Sequence, residues 1–520
     1  MGVIEAPESG SGDKNMDPLD THFEARLIEK RNFSGTSPPL ASLPAEATGS
    51  GSAHSILVGD IALGDHATYT GVAKLAEFYG GWTAAYNEDR AALDIYERSE
   101  GVYIYNTSWG AGSNTNGDNE YSQFFDWFVN TRDALVFKSA GNTSGQITIP
   151  GDAFNIVVVG ALDSTSGAYM RRRSSSSYQL LGDNGSAPDE RGKPEIVAPG
   201  VNISNGSITQ SGTSHAAPHV AGISALLVEA GLILPGPALR NHLAHKAVLM
   251  NSARKRYINA PDPDDAVALD YFSTDTQPSD GNYLETDGSL RSGASSAAAK
   301  TDSWTPSSWN FSGGLFSTAR PLDDELGAGV ADARRALIQH AGGEHAPGSI
   351  PAIGWNRDCL ASGSHSYTLL GEAPAGGFLT VTLNWDRIID ESDGDGIVEA
   401  TDTYDHASVG GLGFLPDFDL EIHEVTPGGT TLFATSLGAG GALTGQNVEH
   451  LHVPLPNHAS YQIRVVLNGS SPGCNDYALA WWAPAFTDVP SSSSWSRAAL
   501  VLLLLGISGI ALTQRRSSPA

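Results

Sequence analysis

Cysteine is nearly missing from this chain: Cys359 and Cys474 are the only two in 520 residues. Both lie far from the motif-bearing segment, so thiol chemistry is excluded as the catalytic theme. Basic residues are scarce as well, with 30 Lys and Arg against 58 Asp and Glu and a formal net charge of −28. That balance supports solubility and argues against nucleic acid or anionic membrane surfaces as partners. No signal peptide is expected at the start: Met1-Gly2-Val3-Ile4-Glu5 is strand-like, and polar residues follow at once. A core strand so early suggests that a signal peptide and a propeptide precede it in the precursor. Long apolar runs are missing except at the end, where residues 498–513 are uncharged between Arg497 and the pair Arg515 and Arg516. This run is marginal for crossing a bilayer but long enough for a short or processed segment. What is present, 40% apolar residues with 59 Gly and 28 Pro, suits a loop-rich α/β protein of two domains plus appendages.

The chain is organised around Gly212-Thr213-Ser214-His215-Ala216-Ala217-Pro218-His219-Val220-Ala221-Gly222 and the apolar residues 223–228. A small-residue turn leads into a helix, with Pro218 in its first turn, where a missing N–H costs little. Ser214 then sits at the mouth of a helix N-terminus, where N–H groups and the dipole favour developing negative charge. The stretch resembles the nucleophile motif of the subtilisin-like serine peptidases (subtilases), and further motifs follow in that family's order over about residues 1–340.

Val3-Ile4-Glu5 reads as a strand ending in a carboxylate. It is similar to the family's V-x-V-I-D-T-G, with Glu5 in place of Asp and Ala6-Pro7 in place of Thr-Gly. Glu is one methylene longer, so the backbone must compensate; Asp17 and Asp20 are the alternative acids. His54-Ser55-Ile56-Leu57-Val58-Gly59-Asp60-Ile61-Ala62-Leu63-Gly64 resembles H-G-T-x-V-A-G-I-x-A-G at His54, Val58, Ile61 and Gly64. It departs at Ser55, Ile56, Gly59 and Asp60, and His66 is the competing histidine. Tyr105-Asn106-Thr107-Ser108-Trp109-Gly110 resembles I-N-M-S-W-G, which implies that the backbone of Ser108, Trp109 and Gly110 pairs with an extended substrate. Ser139-Ala140-Gly141-Asn142 resembles A-A-G-N, which implies that the Asn142 amide donates to the oxyanion. Losing such a donor costs ~10²–10³ in rate, a figure measured within this same family.

Between the motifs, residues 89–99, 122–131 and 238–253 read as helices, and residues 102–108, 134–137 and 155–162 as strands. Lys193-Pro194-Glu195-Ile196-Val197-Ala198-Pro199-Gly200 resembles the K-P-D-I-V-A-P-G strand upstream of the nucleophile, and Ile149-Pro150-Gly151 the family's Y-P-A. Residues 171–177 read as a basic, Ser-rich, solvated surface loop, and residues 256–323 as a polar insertion. Residues 324–333 resemble the family's closing turn and helix.

The resemblance implies a subtilisin-like three-layer α/β catalytic domain with a parallel sheet over residues 1–341. A linker is expected at 342–354. Short alternating segments at 379–385, 418–423, 431–434, 451–455, 461–467 and 477–481 predict an all-β sandwich domain over 355–486. Residues 415–424 resemble the D-L-D-L strand of C-terminal domains appended to secreted peptidases. Residues 487–520 resemble a bacterial sorting signal of the PEP-CTERM type, built from Val489-Pro490-Ser491-Ser492-Ser493-Ser494-Trp495, an apolar segment and an Arg cluster. That implies an extracytoplasmic protein, secreted or held at the cell surface by its C-terminal segment in the membrane, and recognition by a sorting enzyme.

The implied chemistry is hydrolysis of protein or peptide substrates through an acyl-enzyme, with no cofactor. Glu5 would fix the His54 tautomer, His54 would accept and return the Ser214 proton, and Asn142 with the Ser214 N–H would hold the oxyanion. The rivals are a silenced pseudopeptidase acting as a binding protein or scaffold, and an acyl-transferring macrocyclase. Cys359 and Cys474 bracket the β domain and are expected to bridge, since export permits it; closing a loop of about 115 residues is worth roughly 4–5 kcal/mol in chain entropy. Glu391, Asp393 and Asp395, with the Ile397 carbonyl and Asp402, have the spacing of an EF-hand-type loop and form a candidate structural calcium site, set against a plain solvated turn.

Overall fold

The computed structural model describes residues 1–5, 23, 27–37, 40–45, 52–66, 68–83, 86–110, 112, 119–143, 146–163, 171–179, 192–233, 241–254, 256–257, 270–271, 315–317, 322–323, 325–373, 378–390, 398, 403–404, 416–436, 446–455 and 457–483. Its centre is an eight-stranded sheet. In chain order the strands are β1 (Gly2–Glu5), β2 (Leu27–Asn32), β3 (Phe78–Trp82), β4 (Ile104–Thr107), β5 (Leu135–Ser139), β6 (Val157–Asp163), β7 (Arg171–Arg172) and β8 (Ile196–Pro199). They are arranged β2-β3-β1-β4-β5-β6, with β8 parallel to β6 and only β7 antiparallel, on the end of β6.

Runs such as Val157-Val158-Val159 are apolar at every position because both faces of the sheet are covered. Alternate residues go to opposite sides. Val3, Ile104, Leu135, Phe137, Val157 and Val159 meet helices α1 (Ala53–Leu63), α4 (Thr213–Ile233) and α5 (His242–Asn251). Ile4, Tyr105, Val136 and Val158 meet α2 (Tyr86–Glu100) and α3 (Glu120–Arg132). Local capping sets where the helices begin: Ser52 accepts from the Ser55 N–H at α1, Asn119 from Ser122 at α3 and Asn241 from Ala244 at α5. Small paired strands precede α4, β9 (Ile203–Ser204) and β10 (Thr209–Gln210). Of the expected insertion, only short pieces are described, including β11 (Arg256–Tyr257), β12 (Asp270–Tyr271) and β13 (Phe316–Ser317).

After α6 (Ala333–Ala341) the chain turns to strands: β14 (Gly348–Ile350), β15 (Ile353–Leu369), β16 (Phe378–Trp385), β17 (Ile389–Asp390), β18 (Thr403–Tyr404), β19 (Phe418–Thr426), β20 (Gly429–Thr435), β21 (Val448–Pro454) and β22 (Ser460–Trp482). This all-β region is built on the antiparallel β15–β22 pair, in register from Ile353↔Trp482 to Thr368↔Gln462 with an irregularity near Ser362. The first half of β22 also pairs with β19 and the second half with β16. Two separate strands are predicted there; one continuous strand is found, because pairing with β15 carries through the change of partner. Cys359 and Cys474 are bonded, with Cα atoms 5.4 Å apart, and tie this pair across 115 residues of sequence.

The all-β region does not hang free. Trp355, Val448, Ala478 and Ala480 belong to the same apolar core as Leu243 and Ala247 of α5. Gln339, fully buried on α6, donates to the carbonyls of Gly354 (2.9 Å) and Trp481 (2.8 Å). Asn155 and Arg387 exchange two hydrogen bonds, Arg387 N–H to Asn155 Oδ1 at 2.9 Å and Asn155 Nδ2 to the Arg387 carbonyl at 2.8 Å.

Residues 171–177 depart from the solvated loop expected from their composition. Arg172, Ser176 and Ser177 are buried. Arg172 donates to the carbonyls of Arg173, Ser174 and Ser176 and pairs with Glu325 at 3.2 Å. A charge that satisfies a turn's carbonyls and meets a carboxylate can be buried.

His242 joins the two regions. Its Nδ1 lies 2.6 Å from Asp133 Oδ1 and its Nε2 2.8 Å from Asp386 Oδ2. Burial alone would lower its pKa, but Asp386 and Asp133 outweigh that and hold it at about 9. The folded value lies above the ordinary one, so the stabilisation is complete below the ordinary histidine pKa and is lost as pH rises through about 9. The melting midpoint should therefore fall between about pH 7 and about pH 9, with a shallower slope in Asp386→Asn, followed by circular dichroism across that range.

Candidate active site

The site lies at the carboxyl ends of the parallel strands, where an open α/β sheet leaves a crevice. Glu5, the last residue of β1, is 1% exposed, and its Oε2 lies 2.8 Å from Nδ1 of His54 in the first turn of α1. A carboxylate on Nδ1 assigns the proton to that nitrogen and leaves the lone pair on Nε2. The Glu5 carbonyl takes the Thr83 N–H at 3.0 Å and the Thr83 hydroxyl at 3.2 Å, which fixes the end of the strand.

Ser214 is held from two directions. Pro218 stands in the second turn of α4 and not in the first, so it removes the N–H that the Ser214 carbonyl would have accepted. The Ser108 hydroxyl replaces it, donating to that carbonyl at 2.9 Å, and Asn106 Nδ2 donates to the Ser108 hydroxyl at 2.9 Å. In return the Ser214 hydroxyl donates to the Ser108 carbonyl at 3.1 Å. Thr213 clips the end of β5 to the same turn. Its hydroxyl lies 3.1 Å from both Gly141 N and Gly141 O, and its N–H donates to Asn142 Oδ1 at 3.0 Å.

Glu5 and His54 thus form one bonded unit, and Ser108, Ser214 and Asn142 another. The two meet through His215, whose ring lies edge-on to that of His54 with centroids 5.4 Å apart. His215 is held by Gln210, Nε2 to Oε1 at 3.0 Å, and burial, then the nearby His54, His219 and Arg173, push its pKa down to about 3. Trp109 and Gly110 continue β4 beside the cleft, and Lys138 Nζ lies 5.2 Å from the centre of the Trp109 ring. Burial lowers the Lys138 pKa to about 7, against the opposing pull of Asp89, Glu5 and Asp152.

The family model described as the Subtilase family matches residues 22–288. The chain belongs to the subtilase family. The matched segment includes His54, Asn142 and Ser214 and starts after Glu5. Among curated relatives, this subtilase is 33% identical over 149 residues to the thermophilic serine proteinase of Bacillus sp. (strain AK1), covering 28% of this chain and 32% of that protein. It is 29% identical over 235 residues to Subtilisin Savinase of Lederbergia lenta, covering 42% of this chain and 79% of that one. The chain thus spans about a third of the length of the first relative. Among solved structures it is similar to a cold-adapted subtilisin-like serine proteinase, at 21% identity and a TM-score of 0.34, over 50% of this chain and 83% of that one.

His66 takes the Thr68 N–H on Nδ1 at 3.3 Å and stacks on Tyr69 at 6.0 Å, beyond the far end of α1 from His54. Asp17 and Asp20 lie outside the described residues, as do Glu391, Asp393, Asp395, Ile397 and Asp402 and the C-terminal tail. Among the described residues, no group of three or more His, Cys, Asp or Glu is placed to hold a metal ion.

Gly141 carries the backbone into Asn142 at φ +111, and a Cβ there would stand 2.8 Å from Thr148 Cγ2 and 2.9 Å from Ser177 Oγ. Gly112 has φ +65 but its nearest neighbour to such a Cβ is 3.8 Å away. Gly141→Ala should therefore combine backbone strain of about 1–3 kcal/mol with a collision beside Asn142, whereas Gly112→Ala incurs the strain alone. Chemical denaturation of the two variants should show the larger loss at Gly141.

Proposed function

We propose that this subtilase is a serine endopeptidase that hydrolyses peptide bonds through an acyl-enzyme on Ser214. The observation that carries this reading is the Glu5–His54 hydrogen bond of 2.8 Å, made by a buried carboxylate beside the turn that bears Ser214. In the reaction the Ser214 hydroxyl leaves the Ser108 carbonyl and gives its proton to His54 Nε2 as the oxygen attacks the substrate carbonyl. Glu5 holds the imidazole and stabilises the imidazolium so formed. The oxyanion is taken by the Asn142 amide and the Ser214 N–H at the start of α4. His54 then returns the proton to the leaving amine, and water releases the acyl group by the same steps reversed.

An extended substrate is read against the backbone of Ser108, Trp109 and Gly110, as an added strand would be. A disulfide across the all-β region suits an oxidising compartment, which supports an exported protein. We further assign that region as a sandwich domain of the kind appended to secreted peptidases, and residues 487–520 as its sorting and anchoring tail.

Turnover of a chromogenic peptide by folded variants tests the assignment. Ser214→Ala and His54→Ala should each lower kcat by on the order of 10⁶, and Glu5→Gln by on the order of 10⁴. Unchanged turnover in His54→Ala with loss in His66→Ala would overturn the choice of histidine. Absence of hydrolysis by the unaltered protein would leave the pseudopeptidase reading.

A further inference from the structure

Arg173 stands where composition would not look for a functional group. Its Nη1 donates to Asn142 Oδ1 at 2.8 Å. That oxygen already accepts the Thr213 N–H at 3.0 Å, so two donors from opposite elements tie down the acceptor end of the amide. Both partners are N–H donors, which sets the orientation of the amide without ambiguity: oxygen toward Arg173 and Thr213, Nδ2 as the group left to donate.

The arginine itself is anchored. Its N–H donates to the Ala161 carbonyl at 2.8 Å, and its own carbonyl accepts the Ser176 N–H at 2.8 Å. Ser177 N–H donates to the Gly141 carbonyl at 3.0 Å, and the Ser177 hydroxyl accepts the Thr143 N–H at 3.2 Å, so this turn and the oxyanion loop are one packed unit. Arg172 caps the carbonyls of the same turn from behind. A half-buried guanidinium is thus held against the amide by its own backbone. Drawing charge toward Oδ1 makes the Nδ2 hydrogens better donors, because hydrogen bonds in a chain polarise one another. A fixed positive charge near the developing oxyanion acts in the same direction.

We propose that Arg173 is a positioning residue for oxyanion stabilisation: it locks the Asn142 amide with Nδ2 presented as the donor and strengthens that donor. The inference rests on the reading of Asn142 as the oxyanion donor given above. It predicts an effect on the chemical step and little on binding. It also predicts that Arg173 has nothing to act through once the amide is gone.

The experiment is steady-state hydrolysis of one chromogenic peptide by the full chain and by Arg173→Ala, Arg173→Gln, Arg173→Lys, Asn142→Ala and the double variant, with melting midpoints measured alongside. Arg173→Ala should lower kcat about tenfold with KM within about twofold, a smaller loss than the ~10²–10³ for removing the oxyanion donor itself. Arg173→Lys, which keeps the charge and a donor, should recover most of kcat, and Arg173→Gln only part of it. In the Asn142→Ala background, Arg173→Ala should change kcat by less than about twofold. Full kcat in Arg173→Ala, or an equal loss with and without Asn142, overturns the proposal. If Arg173→Ala proves unstable, the Arg173→Gln and Arg173→Lys variants decide by the same criteria. Full kcat in Asn142→Ala would overturn the oxyanion reading itself, which is a different result from failure at Arg173 alone.

Discussion

The Ser214 carbonyl oxygen, left without a helical donor by Pro218, is the point on which the site depends. A buried acceptor without a donor costs about 1–3 kcal/mol, so another group must come to it. The group that comes is the Ser108 hydroxyl at the end of β4, and the returning bond runs from the Ser214 hydroxyl to the Ser108 carbonyl. Thr213, one residue earlier, does the same with the end of β5. The start of one helix is thereby fixed to two neighbouring strands, and Ser214, the Asn142 amide and the backbone at Ser108 acquire their relative positions from a few hydrogen bonds. The proposed reaction requires such precision, since rate falls steeply with misplacement of reacting groups.

Around this joint the protein buries charge with partners on each side. Lys246, 2% exposed, donates to the carbonyls of Phe154 (2.7 Å) and Ile156 (3.1 Å) and lies 3.2 Å from Glu195, which itself accepts the Val158 N–H at 2.8 Å. His242 repeats the pattern at the seam with the all-β region. Apolar packing supplies the bulk of the cohesion there, while these polar contacts fix which surfaces meet. The all-β region is therefore part of the support of α5 and α6 and, through them, of the sheet that carries the site.

The local motifs were the legible part. Residues 139–142 and 212–222 place Asn142 just after a strand and Ser214 at the start of a helix in short contiguous stretches, so local sequence reports them. Apolar runs such as residues 157–159 report strands, the family resemblance implies that they lie parallel, and alternation reports the change to strands after residue 355. Contacts between distant segments were not legible. Arg173 reads as solvated because a short run of Arg followed by Ser carries no periodic signal, and its meaning comes only from the Asn142 oxygen 2.8 Å away. Pro218 was misplaced by one turn because helix starts are set by hydrogen bonds that the residue pattern specifies loosely. His242 gave no sign at all, since Asp133 and Asp386 reach it from separate elements.

The central claim is that Glu5 and His54 make the Ser214 hydroxyl a nucleophile. Labelling with a fluorophosphonate probe tests it most directly, because only an activated serine reacts and no knowledge of the natural substrate is needed. Mass spectrometry of the digested protein should find the adduct on the peptide containing Ser214, and the adduct should vanish in His54→Ala. A folded, unaltered protein that takes up no probe, or takes it up at another residue, would contradict the account.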